Sequence, residues 1–158
     1  MRPRLPRRFR RVSRFSRSTY GGAMVEFAVA VPVLVLLLIG AADYGRFFFT
    51  SIAVANAARA GAEWGAQDKS NAFGPSADIT DFAEQDGAEA GAITVTAATV
   101  CKCPDESTVV CSTGVCGGYG PPRVFVEVTA TKTVNLILPY PGVPNNIPIT
   151  RKAIFRAQ

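Results

Sequence analysis

The sequence contains no histidine. Without imidazole the chain lacks the usual general base and the commonest metal ligand, so Ser-His-Asp and Cys-His catalysis are excluded. No other acid–base constellation takes their place, and the chain reads as a non-enzyme. Acids are missing from the first twenty residues, MRPRLPRRFRRVSRFSRSTY, which carry eight arginines. The formal net charge of +5 is therefore the property of one tail, because the rest of the chain sets nine bases against twelve acids. A nucleic-acid footprint needs Lys and Arg spread over a folded face, so nucleic-acid binding is not expected. C-x-x-C, the usual motif of thiol redox catalysis, is absent. The acids Asp81, Glu84, Asp86, Glu89, Asp105 and Glu106 lack EF-hand spacing and read as solvated faces. No metal site and no cofactor are expected.

Charge is also scarce from Ala23 to Ala42, where Glu26 is the one ionised side chain. A run of about 20 apolar residues is what a helix needs to cross a hydrocarbon core roughly 30 Å thick. A carboxylate inside such a helix costs about 2.5–3.5 kcal/mol on insertion scales, so Glu26 calls for a partner. The arginines before the run hold the N-terminus on the cytoplasmic side and send the remainder outward. Arg10-Arg11 followed by Val12 and Ser13 also offers a weak twin-arginine pattern. Three fates of the run follow. A secretory peptidase would cut near Gly40-Ala41-Ala42, an uncut anchor would keep all 158 residues, and a prepilin peptidase would cut before the run, on the cytoplasmic side. The third fate has a mechanical logic. Glycine gives the peptidase an unhindered extended peptide, and a cut between Gly21 and Gly22 makes Glu26 the fifth residue of the product. Glu26 then meets the new α-amino group of a neighbouring subunit, each charge offsetting the other in an apolar medium.

The stretch from Gly21 to Gly65 resembles the N-terminal signature of TadE-like proteins, pseudopilins of the tight-adherence (Flp/Tad) pilus system. The resemblance is carried by the glycine before the cut, Ala23-Met24-Val25-Glu26-Phe27, Pro32, Asp43-Tyr44-Gly45-Arg46, Ala55-Asn56-Ala57-Ala58-Arg59 and Gly61-Ala62. Val124 to Val128, Leu138-Pro139-Tyr140 and Ile149 to Ile154 are similar to the closing strands of that family. Phe27 departs from the tyrosine usual after the glutamate in Flp prepilins. The resemblance implies processing by a prepilin peptidase at Gly21 and Gly22, with Glu26 and Phe27 completing the recognition stretch. It also implies a minor, assembly-related role beside other pilin or pseudopilin subunits and an inner-membrane assembly platform.

Beyond Asp43 the residues Tyr44, Phe47, Phe48, Ser51, Val54, Ala55, Ala58 and Ala62 recur at helical steps. The aromatic cluster Phe47-Phe48-Phe49 with Tyr44 reads as an interfacial belt against membrane lipid. Ala55, Ala58 and Ala62 are small enough to admit a second helix. That helix face either packs on the protein's own sheet or docks a subunit, and both readings stay open. One helix from Ala23 to Ala66 would be about 66 Å long at 1.5 Å per residue.

Residues 67–158 read as a small exported domain. Gly65 to Ser76 predicts a loop, and Ser76 an N-cap for a short amphipathic helix on Ile79, Phe82, Ala83 and Ala90, weakened by Gly87 and closed by Gly91. Strands are predicted at Ile93–Thr96, Val124–Ala130 and Ile149–Phe155, with Val134–Leu138 continuing the middle one. Cys101, Cys103, Cys111 and Cys116 lie in the loop between the first two strands. Four cysteines allow three pairings, and an oxidising compartment favours disulfides over a four-thiolate zinc site. Cys101–Cys103 is disfavoured because the loop it closes is strained; a nested arrangement, Cys103–Cys111 inside Cys101–Cys116, would staple a domain with a small core, and the connectivity stays open.

The expected fold class is α+β and pilin-like: a long N-terminal helix, membrane-spanning in its first half, a short second helix and a small three- to four-stranded antiparallel sheet. The expected organisation is a cleaved basic leader at 1–21, a transmembrane segment at 22–43, an exported helix at 44–66 and a periplasmic domain at 67–158, with its cysteine loop at 101–116. Two functions compete. One is a minor pseudopilin of the inner membrane with a cytoplasmic N-terminus, entering a pilus or supporting its assembly. The other is an uncleaved, signal-anchored binding or scaffold domain of the envelope. A plain anchor gains nothing from Glu26 and should tolerate Glu26→Leu.

Overall fold

A computed structural model describes residues 20–158. The arginine leader and its Arg10-Arg11 pair lie outside the described residues. The chain divides into two compact units, with the boundary between Leu38 and Ile39. Helix α1, Tyr20–Ala66, contributes residues to both. In the first unit the helix is apolar on every side, and Met24, Phe27, Val29, Leu37 and Leu38 are all exposed. A helix hydrophobic all round belongs in a core or a membrane, and none of its most apolar window is buried inside the protein. Among the described residues it is the one helix long and apolar enough to cross a membrane. Pro32 lies inside it, as membrane helices tolerate.

The second unit is α+β. After α1 come α2 (Lys69–Ala72), α3 (Ser76–Asp86), a 3-10 turn at Ala88–Ala90, and strands β1 (Thr94–Lys102), β2 (Thr108–Val109), β3 (Arg123–Asn135) and β4 (Asn146–Arg156). The strands form one antiparallel sheet in the order β2-β1-β3-β4. Helix α2 stands where a plain loop was expected. Asp68 caps it by accepting the Ser70 amide at 3.0 Å, which stabilises one turn of helix from polar residues. Ser76 is not the N-cap of α3. Pro75 holds that place, its carbonyl accepting the Asp78 amide at 3.1 Å without a side-chain cap. The helix ends earlier than expected: Gly87, read as a weak point within it, caps α3, and Ala90 falls in a separate 3-10 turn that Gly91, at φ +79°, ends. The middle strand carries through Val134 to Asn135, leaving Leu136 to Leu138 in the connection to β4.

One face of the sheet buries the core. Val126, Val128 and Ala130 of β3 are fully buried with Val54, Ala57, Ala58 and Ala62 of α1 and Ile79 and Ala83 of α3. Register follows the pattern, Val95 lying opposite Ala130 and Thr99 opposite Val126. The Thr99 hydroxyl donates to the Ala72 carbonyl, tying α2 to the same face. The α1 contact is so close that a side chain at either of two glycines would force a neighbour to shift. A Cβ on Gly61 would sit 2.7 Å from the Ala83 Cβ and 3.3 Å from the Ile79 carbonyl oxygen. One on Gly65 would sit 2.9 Å from both Ile79 Cδ1 and Val126 Cγ1.

Alanine favours a helix over glycine by about 1 kcal/mol, whereas overpacking a core costs about 1–3 kcal/mol. At Gly61 the obstacles are a Cβ and a backbone oxygen, which cannot swing away. Gly61→Ala is therefore expected to lower the thermal midpoint by several degrees. Gly45→Ala, with nothing within 4 Å of its Cβ, should leave it unchanged or raise it. Thermal unfolding of the two full-length variants in detergent micelles checks both directions.

Candidate functional site

Gly21 and Gly22 lie in helix α1, and glycine weakens a helix. Both glycines are exposed, with nothing within 4 Å of a Cβ on either. Opening the peptide between them therefore disturbs no side-chain packing. One turn on, Glu26 is exposed and shares a helix face with Val25, Val29, Ala30, Val33 and Leu34. Its carboxylate has no hydrogen-bond partner among the described residues and heads an apolar stripe. Phe27 beside it is 68 % exposed.

The three small residues considered for docking divide. Ala58 and Ala62 are buried in the protein's own core, and Ala55 is half-buried. The reading of Ala58 and Ala62 as a seam for another subunit is therefore corrected: β3 and α3 already fill that face. The aromatic cluster divides as well: Tyr44, Phe48 and Phe49 are exposed, the Tyr44 and Phe48 rings stacked at 6.3 Å, while Phe47 is half-buried against the core.

Asp43 has a role that sequence reasoning missed. It is 5 % exposed, yet its carboxylate accepts the Ile137 backbone amide through both oxygens, at 2.9 and 3.2 Å. The Tyr140 hydroxyl reaches the same carboxylate at 3.5 Å, and the Arg46 guanidinium lies 3.8 Å away. A turn with Pro141 and Gly142 (φ +81°), closed by the Val143 amide on the Tyr140 carbonyl at 3.1 Å, presents that tyrosine. Desolvation raises the Tyr140 pKa, and the Asp43 charge and hydrogen bond push the same way, so the hydroxyl stays protonated and donating into alkaline pH. Asp43 thus clamps the β3–β4 connection to α1 just past the apolar run. The local signal was an acid directly after that run. The matching signal, Leu138-Pro139-Tyr140, lies 97 residues away, and nothing in the sequence links the two.

The cysteines form two disulfides, Cys101–Cys111 and Cys103–Cys116, with Cα–Cα distances of 5.2 and 5.5 Å. The pairing is interleaved rather than nested. Register explains it. Cys101 lies opposite Val109, two residues from Cys111, while the Cys103 amide bonds the Ser107 carbonyl at 2.9 Å. Cys111 is four residues beyond Ser107, about 13 Å along an extended strand, out of reach of Cys103. Cys103 is met instead by Cys116 from the next loop. Among the described residues no cluster of His, Cys, Asp or Glu is placed to hold a metal.

Removing the Asp43 carboxylate deletes a part-buried hydrogen bond from the Ile137 amide to a charged acceptor, worth about 1.5–3 kcal/mol. Asp43→Ala should lower the thermal midpoint of the full-length protein in micelles and speed proteolysis within 136–145. Asp43→Asn, which keeps an acceptor, should recover part of both; equal behaviour of the two variants would mean the clamp does not stabilise the connection.

Residues 21–63 match the family model of TadE-like proteins. No curated protein and no solved structure matches the chain. The match covers most of α1, including Gly21, Glu26, Asp43 and the face that carries the sheet, and it points to a component associated with the tight-adherence pilus.

Proposed function

We propose that the protein is a minor pseudopilin of the tight-adherence pilus, an assembly component rather than an enzyme, cut between Gly21 and Gly22 by a prepilin peptidase. The observation that supports this reading is the coincidence of the TadE-like match at 21–63 with a helix whose apolar residues find no partner in their own chain. That helix has one charge, Glu26, at the fifth position after the proposed cut. In this reading residues 1–21 are a cytoplasmic leader and 22–43 the inner-membrane anchor. Residues 44–66 and 67–158 form the periplasmic part, held beside other pilin or pseudopilin subunits and the assembly platform.

Each part has a physical task. The arginines fix orientation. The glycine pair weakens the helix and offers the peptidase an unhindered peptide. The new amino group of one subunit and Glu26 of its neighbour offset each other's charge in the membrane. The apolar stripe below Glu26 supplies the surface on which neighbouring helices pack by close contact.

Co-expression with the cognate prepilin peptidase tests the reading by intact mass. Wild type should lose residues 1–21, and a bulky substitution, Gly21→Leu, should block the cut. Glu26→Leu should still be cut and still enter the membrane, but should fail to restore pilus assembly in a deletion strain, with Glu26→Asp restoring it in part. Unprocessed wild type, or full assembly with Glu26→Leu, would instead support an uncleaved anchor.

A further inference from the structure

The exported domain carries two charge clusters of opposite sign that form no ion pairs. From Gly74 to Gly91 there are five acids, Asp78, Asp81, Glu84, Asp86 and Glu89, and no base, although Arg46 and Lys132 line one cavity with Glu89. All five are exposed. They lie on α3 and the turn after it, and α3 packs on the helix-covered face of the sheet through Ile79 and Ala83. Strand parity places most of the second cluster on the other face. Arg123 and Phe125 alternate with the buried Val126, Lys102 lies directly opposite Arg123, and Arg156 directly opposite Phe125. Lys69, from α2 on the helix-covered side, meets Arg123 and Arg156 around an open cavity of about 510 Å³ at the sheet's end.

Among the described residues the ion pairs are Arg46–Asp43 and Lys152–Glu127. None of the five acids or four bases takes part in one, and Asp105 and Glu106 of the neighbouring turn make none with them. Like charges directly opposite across two strands are destabilising. Lys102, 6.0 Å over the Phe125 ring, gains a cation–π contact, but Arg123 and Arg156 have no such compensation. The arrangement therefore asks for an anionic partner. Among the described residues no ion pair joins the two clusters within the chain.

We propose that the acidic face of α3 in one copy docks on the Lys69, Lys102, Arg123 and Arg156 cluster of a second copy of this chain. The contact is head-to-tail. Such a heterologous interface leaves one free cluster at each end of a pair, so it extends into a row or closes into a ring. Phe125 and Phe82, each flanked by its own cluster, add apolar area to the two sides. The contact uses neither Glu26 nor the processing site, so it stands or falls apart from the pilus reading.

The test is sedimentation velocity of the full-length protein in detergent micelles at about 50 and 500 mM salt, across which exposed pairs are progressively screened. Wild type should self-associate at the lower salt and dissociate at the higher. The double variants Arg123→Glu with Arg156→Glu, and Asp81→Lys with Glu84→Lys, should each associate about tenfold more weakly or worse. Mixing the two should restore association, because each then supplies the face the other has lost. All four residues are exposed, so circular dichroism should show both variants folded. Monomeric wild type at low salt, association unchanged in either double variant, or a mixture no better than its parts would overturn the proposal. Loss of binding to anionic lipid vesicles in the arginine variant, with association intact, would overturn it equally and reassign the basic cluster to a membrane.

Discussion

The structure depends on how close α1 comes to β3 and α3. Val54, Ala57, Ala58, Gly61, Ala62 and Gly65 present a nearly smooth face, and Val126, Val128, Ile79 and Ala83 fill it without a gap for a larger side chain. A residue that forms the floor of this contact is judged by volume alone, since one methyl group on Gly61 meets a neighbour at 2.7 Å. The sheet has no second layer on its other face. Its stability rests on this single interface, helped by two disulfides that pin the β1–β2 loop and by the Asp43 clamp on the β3–β4 connection.

The same helix supplies two kinds of surface because its composition changes along its length. Up to Leu38 it is built from valine and leucine on all sides, which suits lipid or other apolar helices and offers no preferred face. Beyond Asp43 alanine and glycine take over on one side, and Arg59 and Glu63 stay exposed on the other. Asp43 stands where the composition turns. Its buried carboxylate would be costly alone, and the Ile137 amide and Arg46 make it tolerable while fixing the chain end of β3.

Much of this was legible in the sequence for reasons that can be stated. The apolar run, the small-residue periodicity and the alternation in β1, β3 and β4 are local patterns of adequate length, and they led to the α+β reading. What escaped is short or non-local. Strand β2 is two residues, too brief for any period to show. Helix α2 is a single capped turn. The disulfide pairing follows from a strand register that four cysteine positions do not encode. The Asp43 contact to Ile137 spans 94 residues, and the fate of Ala58 and Ala62 depended on whether the domain's own sheet would reach them. It does.

The second half of α1 packs into its own domain, whereas the apolar residues of the first half find no partner within the chain. Hydrogen exchange read by mass spectrometry, on the full-length protein in lipid nanodiscs and again in a mild detergent, tests this contrast most directly. Amides of 54–66 should remain protected in both and exchange together with β3, while those of 23–42 should be protected in lipid and exchange much faster in detergent. Loss of protection in both halves at once, or free exchange of 54–66 while β3 stays closed, would contradict the account.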